Sequence, residues 1–245
     1  MIKLKNISKS YEGVEVLKSI NLEIETASTT ILIGPSGCGK STLIRIIAGL
    51  IEPNSGSVEI ENNPIDQTNI NEIRKNLGYV IQEGGLFPHL TAFENVTLMA
   101  KYLKWEKDKI NERVKFLSEL TNLEKELLFK YPLQLSGGQR QRISLMRALM
   151  LDPEILLLDE PLGALDPLIR FDLQTDLKEI FKKLDKTVVM VTHDLAEAVY
   201  FGDKIVLMKD GGIIRKDSPE NLINNPQNEF VEKFVNAQRS HMDFK

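Results

Sequence analysis

The sequence has a single cysteine, no basic surplus and no long apolar run, and each absence excludes a class of protein. Cys38 has no partner for an internal disulfide, which agrees with a reducing compartment. The formal net charge of −4 argues against nucleic acid as a partner, because proteins that bind phosphate backbones usually carry a basic surplus. No apolar run approaches the roughly 18 residues of a membrane span, and the N-terminus lacks the features of a signal peptide. We therefore expect a cytoplasmic protein, which could still sit on a membrane by docking to another protein.

The 245 residues, of which 42% are hydrophobic and 27% charged, suffice for one large domain or two small ones. Runs typical of strands alternate with helical patterns, which predicts a parallel sheet with right-handed crossovers. A hairpin is expected where Asp210-Gly211-Gly212 interrupts the last apolar runs. Strands are predicted at 2–11, 17–24, 29–33, 57–65, 155–158, 187–191 and on both sides of the turn within 204–217.

The middle of the chain differs from the rest. From about residue 91 to residue 150 the pattern is helical throughout, with no convincing strand. We therefore predict a helical subdomain at 91–150, inserted into an α/β core formed by 1–90 and 151–220. The remaining residues, 221–245, are expected to form a helical and peripheral tail.

A glycine-rich segment between a predicted strand and a predicted helix matches the phosphate-loop pattern GxxxxGK[ST] in full. Its glycines let successive backbone N–H groups point at phosphate oxygens, at the positive end of the helix. Lys40 would contact the β- and γ-phosphates, and the Ser41 hydroxyl would ligate Mg²⁺. An ordinary glycine-rich turn is the alternative, which the lysine and serine together disfavour. The residues assigned to nucleotide binding here are Gly34, Pro35, Ser36, Gly37, Cys38, Gly39, Lys40, Ser41 and Thr42.

The strand at 155–158 ends in two acids, Asp159 and Glu160. Ligands of open α/β sheets bind at the carboxyl ends of the strands, so these carboxylates are placed to act on a bound nucleotide. We expect Asp159 to hold Mg²⁺ through water, and Glu160 to orient and deprotonate an attacking water. Solvated acids often end strands without such a role, but the phosphate loop upstream favours the catalytic interpretation.

The strand at 187–191 is followed by His193, which could reach the γ-phosphate and hold the attacking water. A single histidine is more often structural, so this residue alone is weak evidence. His89 and His241 lack such a context and are expected at the surface. The Cys38 side chain needs no chemical role in the phosphate loop.

Two adjacent glycines open a helical pattern in Leu135-Ser136-Gly137-Gly138-Gln139. One interpretation is structural: Ser136 and Gln139 fit a capping box, in which each side chain satisfies a backbone N–H group. The other is functional, because a helix N-terminus without side-chain bulk presents bare N–H groups to an anion. The segment alone does not decide between them.

Together these motifs resemble the ATP-binding cassette family over nearly the whole chain. The phosphate loop, Gln82, LSGGQ, the acid pair, Gly163-Ala164-Leu165-Asp166 and His193 follow one another in the order of that family. The resemblance implies an α/β P-loop NTPase core with a parallel sheet, an N-terminal antiparallel β subdomain and an inserted α-helical subdomain. It also implies ATP and Mg²⁺ as ligands.

The resemblance further implies a dimer with two ATP molecules at its interface. Ser136, Gly137, Gly138 and Gln139 of one cassette would close over the γ-phosphate bound by the other. Tyr11 matches the aromatic residue that stacks on adenine, and Asp166 the loop that communicates between the two sites. Gln82 matches the residue near Mg²⁺ and the attacking water. Gly163 stands where many members have serine, which could weaken one contact across the dimer.

Several branches of the family do not fit this chain. DNA-maintenance relatives insert long coiled coils, whereas only 95 residues lie between Lys40 and Ser136 (positions 41 to 135). Translation-factor relatives carry two cassettes, and this chain has one. A nucleotide kinase would leave LSGGQ and His193 unexplained.

The segment EGGLFPHLTAFENV, residues 83–96, resembles importer cassettes, where it lies beside the groove that receives a membrane subunit's coupling helix. Its sequence is similar to the same segment in cassettes for glycine betaine, choline and carnitine uptake. Phe87 and Phe93 could instead be local core residues. Many such cassettes carry a C-terminal regulatory domain, and because about 30 residues follow the last predicted strand, we expect none here.

Three hypotheses therefore remain. The chain is the ATPase subunit of an importer for a quaternary amine or osmoprotectant, the cassette of another transporter such as an amino-acid importer or an exporter, or a non-transport regulator of a membrane complex. For the first, we expect a homodimer or paired cassette, integral-membrane permease subunits and indirectly a solute-binding protein, on the inner face of the cell membrane.

Overall fold

The computed structural model describes residues 1–82, 84–163 and 165–239, which form two compact units. Unit 1 comprises Met1–Ile70 and the segment that begins at Thr187, and unit 2 is Asn71–Lys186. Unit 2 is wider than the helical subdomain expected at 91–150, because it also contains strands on both sides of the helices. Along the chain the elements are β1 (Ile2–Tyr11), β2 (Val14–Ile24), β3 (Thr29–Ile33), α1 (Lys40–Ile47), β4 (Ser55–Ile60), β5 (Asn63–Pro64), α2 (Ile70–Lys75), β6 (Leu77–Val80), α3 (Ala92–Tyr102), α4 (Lys107–Leu120), two 3-10 helices (Lys125–Phe129 and Pro132–Gln134), α5 (Gly137–Leu149), β7 (Ile155–Asp159), α6 (Pro167–Leu184), β8 (Thr187–Val191), α7 (Leu195–Phe201), β9 (Lys204–Lys209), β10 (Gly212–Asp217), α8 (Pro219–Asn224) and α9 (Glu229–Arg239).

Unit 1 contains an antiparallel sheet in the order β2-β1-β4-β5. Apolar side chains alternate with polar ones in β1, and Ile2, Leu4 and Ile7 are buried. One face of this sheet therefore packs on a core while the other carries lysines and serines, as expected for a sheet that is half exposed.

The other strands of unit 1 follow the order β10-β9-β3-β8. β3 is parallel to both β8 and β9, and β9 forms the predicted hairpin with β10. Every residue of β3 and β8 is buried, in agreement with their continuous apolar runs. Leu32 lies opposite Val191, so the residues that follow β3 and β8 leave the sheet at the same edge.

In unit 2, β6 is parallel to β7, with Val80 opposite Leu158. The chain from α3 to α5 is helical, as predicted, and α5 packs against β6 as well as against α3 and α4. The sequence did not predict β6, because a run of four residues that includes Gly78 has little strand signal.

Of the tail predicted at 221–245, the described residues include the end of α8 and all of α9. Leu222 in α8 and Val231 and Val235 in α9 are buried. Their spacing in α9 gives that helix an apolar face, which packs on unit 1 because exposure of such a face to water is unfavourable. Within the described ranges, no helix combines the length and the apolarity that a membrane span requires.

Candidate functional site

The phosphate loop joins β3 to α1, as the sequence predicts. Gly39 is the N-cap of α1 and has φ of 101°, in the region that favours glycine. A Cβ atom at this position would lie 2.6 Å from Leu17 Cδ2 and 2.8 Å from the carbonyl oxygen of Val16. Among the described residues, no side chain accepts a hydrogen bond from the first N–H groups of α1. These N–H groups therefore suit an anionic ligand.

Lys40 is buried at the start of α1, with 6% of its surface exposed. Its Nζ donates hydrogen bonds to the carbonyl oxygens of Gly34, at 2.8 Å, and Pro35, at 3.0 Å. The loop therefore holds a desolvated ammonium group at the N-terminal end of α1, and this charge suits a phosphate. Burial raises the pKa of the adjacent Cys38 thiol, although the Lys40 charge opposes this shift, so the thiol is un-ionised at neutral pH.

The edge of unit 1 that carries the phosphate loop also carries His193. The Thr192 N–H group donates to the carbonyl oxygen of Leu32 at 3.2 Å, which ties the end of β8 to the end of β3. His193 follows directly and its side chain is exposed. Unit 1 thus brings together two of the predicted site elements.

Tyr11 ends β1 and is 44% exposed. The Lys9 ammonium group lies 5.3 Å from the centre of its ring. The ring is accessible, as an aromatic residue that stacks on a planar base must be.

Unit 2 brings together three other predicted residues at the carboxyl ends of β6 and β7. Asp159 is fully buried, and Tyr79 Oη donates to its Oδ2 at 3.5 Å. Gln82 Nε2 donates to Glu160 Oε2 at 3.4 Å. Glu160 has φ of 48°, an uncommon conformation for a residue with a side chain, and one that recurs at functional sites. The sequence did not point to Tyr79.

The residues predicted to hold Mg²⁺ each carry an oxygen atom, the ligand type that this ion prefers. Among the described residues there is no group of three or more histidine, cysteine or acidic side chains that could hold a metal ion. Mg²⁺ usually keeps several waters and binds through one or two carboxylates and the substrate's phosphates. Ser41, Gln82 and Asp159 have the oxygen ligands that such an ion prefers.

At the start of α5 the capping box is present. Gln139 N–H donates to Ser136 Oγ at 3.3 Å, and Ser136 N–H donates to Gln139 Oε1 at 2.9 Å. Ser136 is nevertheless exposed, so its hydroxyl can also meet a ligand outside the helix. The structural interpretation of the segment is therefore correct, and it is compatible with the functional one.

The second glycine of this segment also has a packing role that the sequence did not reveal. A Cβ atom on Gly138 would lie 2.5 Å from Ile169 Cγ2 in α6. Asp166, the exposed N-cap of α6, lies close in sequence to Ile169. Gly163 would accept a side chain, because its Cβ would stand 3.4 Å from Glu160 Oε2, an ordinary contact.

A groove of about 750 Å³ lies in unit 2 and includes part of the segment at 83–96. Phe87 lines it and is 44% exposed, so its ring is not a core residue. Phe93 is half-buried in α3. Other lining residues are Leu98, Met99, Tyr102, Arg74, Lys75 and Arg147.

His89 and His241 are the two histidines outside the predicted site. His89 is exposed, as expected, with its ring 6.0 Å from that of Phe87. His241 lies outside the described residues.

Comparison with known proteins gives a consistent result. The family model described as ABC transporter matches residues 17–163. The glycine betaine/carnitine/choline transport ATP-binding protein OpuCA of Bacillus subtilis is 45% identical over 240 residues, which are 98% of this chain and 63% of OpuCA. The sulfate/thiosulfate import ATP-binding protein CysA of Pectobacterium atrosepticum is 44% identical over 239 residues, 96% of this chain and 71% of CysA. The chain therefore spans less than two thirds of the length of OpuCA.

Among solved structures, the dimeric post-hydrolysis structure of the ATP-binding cassette MJ0796 bound to ADP and Pi is similar, with a TM-score of 0.81. It is 36% identical and covers 89% of this chain and 99% of its own. This likeness confirms the predicted fold class, an α/β P-loop core with an antiparallel β subdomain and an inserted helical region.

Proposed function

Because the chain belongs to the ABC transporter family, we propose that it is the ATP-hydrolysing subunit of an importer for a quaternary amine or related osmoprotectant. The observation that carries the ATPase proposal is the hydrogen bond from Gln82 to Glu160 at the end of β7, in a chain that also has a complete phosphate loop. The importer proposal is supported by the likeness to OpuCA over 98% of this chain.

The phosphate loop binds the triphosphate of ATP. Its backbone N–H groups and Lys40 contact the β- and γ-phosphate oxygens, while Tyr11 stacks on the adenine ring. Ser41, Gln82 and Asp159 would hold Mg²⁺, which supplies charge neutralisation at the phosphates.

Glu160 acts as the general base of hydrolysis. It accepts a proton from water as the water oxygen forms a bond to the γ-phosphorus and the bond to the bridging oxygen of ADP breaks. A positioned carboxylate of this kind contributes about 10²- to 10⁴-fold in rate. Gln82 holds the carboxylate through the bond to Oε2, and His193 holds the γ-phosphate and the attacking water.

Two copies of the chain act as a pair, as in the MJ0796 dimer. Ser136 and the N–H groups of Gly137 and Gly138 in one copy close over the γ-phosphate bound by the other. Because each site then needs groups from both copies, closure of the pair and hydrolysis are coupled. Asp166 carries communication between the two sites.

The groove in unit 2 receives a helix of an integral-membrane permease. Apolar side chains such as Phe87, Leu98 and Met99 offer the burial that a docked helix needs. This contact would place the chain on the inner face of the cell membrane, and a solute-binding protein would deliver solute to the permease. The solute itself never touches this chain, which is why CysA, with a different solute, can be 44% identical.

The proposal is tested by affinity purification of the chain from its native membrane, with mass spectrometry of the proteins that accompany it. We expect a polytopic permease and a solute-binding protein that binds betaine, choline or carnitine in a calorimetric screen. A binding protein that takes sulfate or an amino acid instead would change the solute and keep the importer. A membrane partner without a solute-sized pathway would favour a regulatory role and overturn the transport proposal.

A further inference from the structure

A glutamine in the last described helix contacts the backbone on both sides of Asp194. Gln238 Nε2 donates a hydrogen bond to the carbonyl oxygen of His193 at 2.8 Å. Gln238 Oε1 accepts a hydrogen bond from the backbone N–H of Leu195 at 2.7 Å. One side-chain amide, 45 positions away from His193 in sequence, therefore clamps the segment that leaves β8.

Packing of α9 keeps this amide in place. Val231 and Val235 are buried, and Gln238 follows them by seven and three positions, so the three residues lie on one face of the helix. At the first turn, the Lys209 ammonium group lies 4.4 Å from the centre of the Phe230 ring, which ties α9 to β9. Gln238 is thus the polar end of an apolar stripe.

The same segment also has local hydrogen bonds, but they act on other atoms. Thr192 Oγ1 donates to Glu197 Oε2 at 2.5 Å. Asp194 Oδ1 caps α7 by accepting from the N–H groups of Ala196 and Glu197. The Asp194 N–H group also donates to Thr192 Oγ1 at 3.1 Å. The His193–Asp194 peptide group is therefore held at its N–H end from within the segment and at its carbonyl end from α9.

We propose that Gln238 is a positioning residue that fixes the orientation of His193 for ATP hydrolysis. This inference rests on the role of His193 in the proposed function. The backbone sets the position of the Cα–Cβ bond from which the imidazole ring extends, and Gln238 holds the peptide group on the carboxyl side of His193. Without the clamp this peptide keeps the Asp194 N–H bond to Thr192 Oγ1 but loses the hold on its carbonyl oxygen, which can then shift. Small displacements of a positioned group lower the rate.

Three variants of the full chain separate this role from a general effect on folding. Gln238→Ala removes both bonds. Gln238→Glu keeps an acceptor for the Leu195 N–H but loses the donor to the His193 carbonyl. Asn236→Ala removes an amide of the same kind from an exposed position of the same helix and serves as the matched control.

The measurements are the kcat and KM for MgATP, the melting temperature and the histidine ring signals in ¹³C-histidine-labelled protein. The chain has three histidines, so the His193 signal is assigned by its disappearance in His193→Gln. For Gln238→Ala we expect a kcat lowered roughly 5- to 50-fold with unchanged KM, since two hydrogen bonds are lost. We also expect a displaced His193 signal, with His89 unmoved and Asn236→Ala like the wild type.

The outcomes distinguish this inference from the proposal on which it rests. If a non-hydrolysable ATP analogue leaves the His193 signal of the wild type unchanged, the role of His193 itself fails. If the analogue moves that signal but Gln238→Ala does not displace it, or Gln238→Ala has the kcat of Asn236→Ala, the positioning role of Gln238 is overturned. A lower melting temperature without a displaced signal would make the clamp purely structural.

Discussion

Lys40 is a buried cation whose ammonium group is hydrogen-bonded to the carbonyl oxygens of its own loop. A methionine of similar length keeps the packing and removes the charge. We expect Lys40→Met to lower the affinity for a non-hydrolysable ATP analogue about 10- to 150-fold, the effect of losing hydrogen bonds to a charged group. Isothermal titration calorimetry measures this directly.

Lys5→Met is the control for that experiment. It also removes a lysine from unit 1, but Lys5 is largely exposed and pairs with Glu59 at 2.5 Å. Its affinity for the analogue should match the wild type. Equal affinity in Lys40→Met would rule out the assignment of the phosphate loop.

Residues such as Lys40 and Glu160 could be singled out from the sequence because the signal is local. A glycine pattern with lysine and serine, or two acids at the end of an apolar run, needs no knowledge of distant contacts. Their partners could not be predicted in the same way. Tyr79 meets Asp159 across 80 positions, and Gln238 meets His193 across 45. Neither partner lies in a motif, so only the fold reveals them.

At the scale of elements, α3 and α5 begin with the same device. Thr91 with Glu94 and Ser136 with Gln139 each form a complete capping box. Removal of either hydroxyl should destabilise the chain by about 0.5–2 kcal/mol, the typical cost of losing such a cap. We expect Ser136→Ala to lose hydrolysis as well, while its affinity for ATP stays close to that of the wild type. Thermal unfolding, calorimetry and phosphate release are the measurements.

Thr91→Ala is the matched control, because it loses an equivalent cap outside the LSGGQ segment. It should melt lower, like Ser136→Ala, and hydrolyse ATP normally. If Ser136→Ala also hydrolyses ATP normally, Ser136 is only a cap and the functional interpretation of the segment is wrong.

Most strands were predicted from the sequence because apolar alternation or continuous apolar runs mark them. β6 was missed, since its four residues gain their stability from pairing with β7, more than 70 positions away. The two glycines of α5 show the same limit. Because glycine has no side chain, the pair suggested an anion site. The close approach of Ile169 to Gly138 could not be predicted, since it depends on how α6 packs against α5.

At the scale of the whole chain, each unit carries part of the predicted site. Unit 1 has the phosphate loop, Tyr11 and His193, and unit 2 has Gln82, the LSGGQ segment, the acid pair and Asp166. The sequence predicted an inserted helical region but not that β6, β7 and α6 belong to the same compact unit. Such grouping follows from contacts between distant segments, for which local patterns carry no signal.

The paired cassette predicts a trapped dimer. Glu160→Gln keeps the size of the side chain and its bond from Gln82, but a neutral amide does not take a proton from water. We expect this variant to bind ATP and to lose turnover. In size-exclusion chromatography with ATP, light scattering should give a mass of about twice the 27.8 kDa of the chain. Without ATP it should elute like the wild type.

Glu154→Gln is the control, because it makes the same substitution at an exposed acid just before β7, beside Lys186. This variant should keep turnover. Adding Ser136→Ala to Glu160→Gln should weaken the dimer, because the hydroxyl acts on the nucleotide of the other copy. Normal turnover in Glu160→Gln would remove Glu160 from the role of base. A variant that binds ATP without hydrolysis and yet stays monomeric would keep that role and remove the paired cassette.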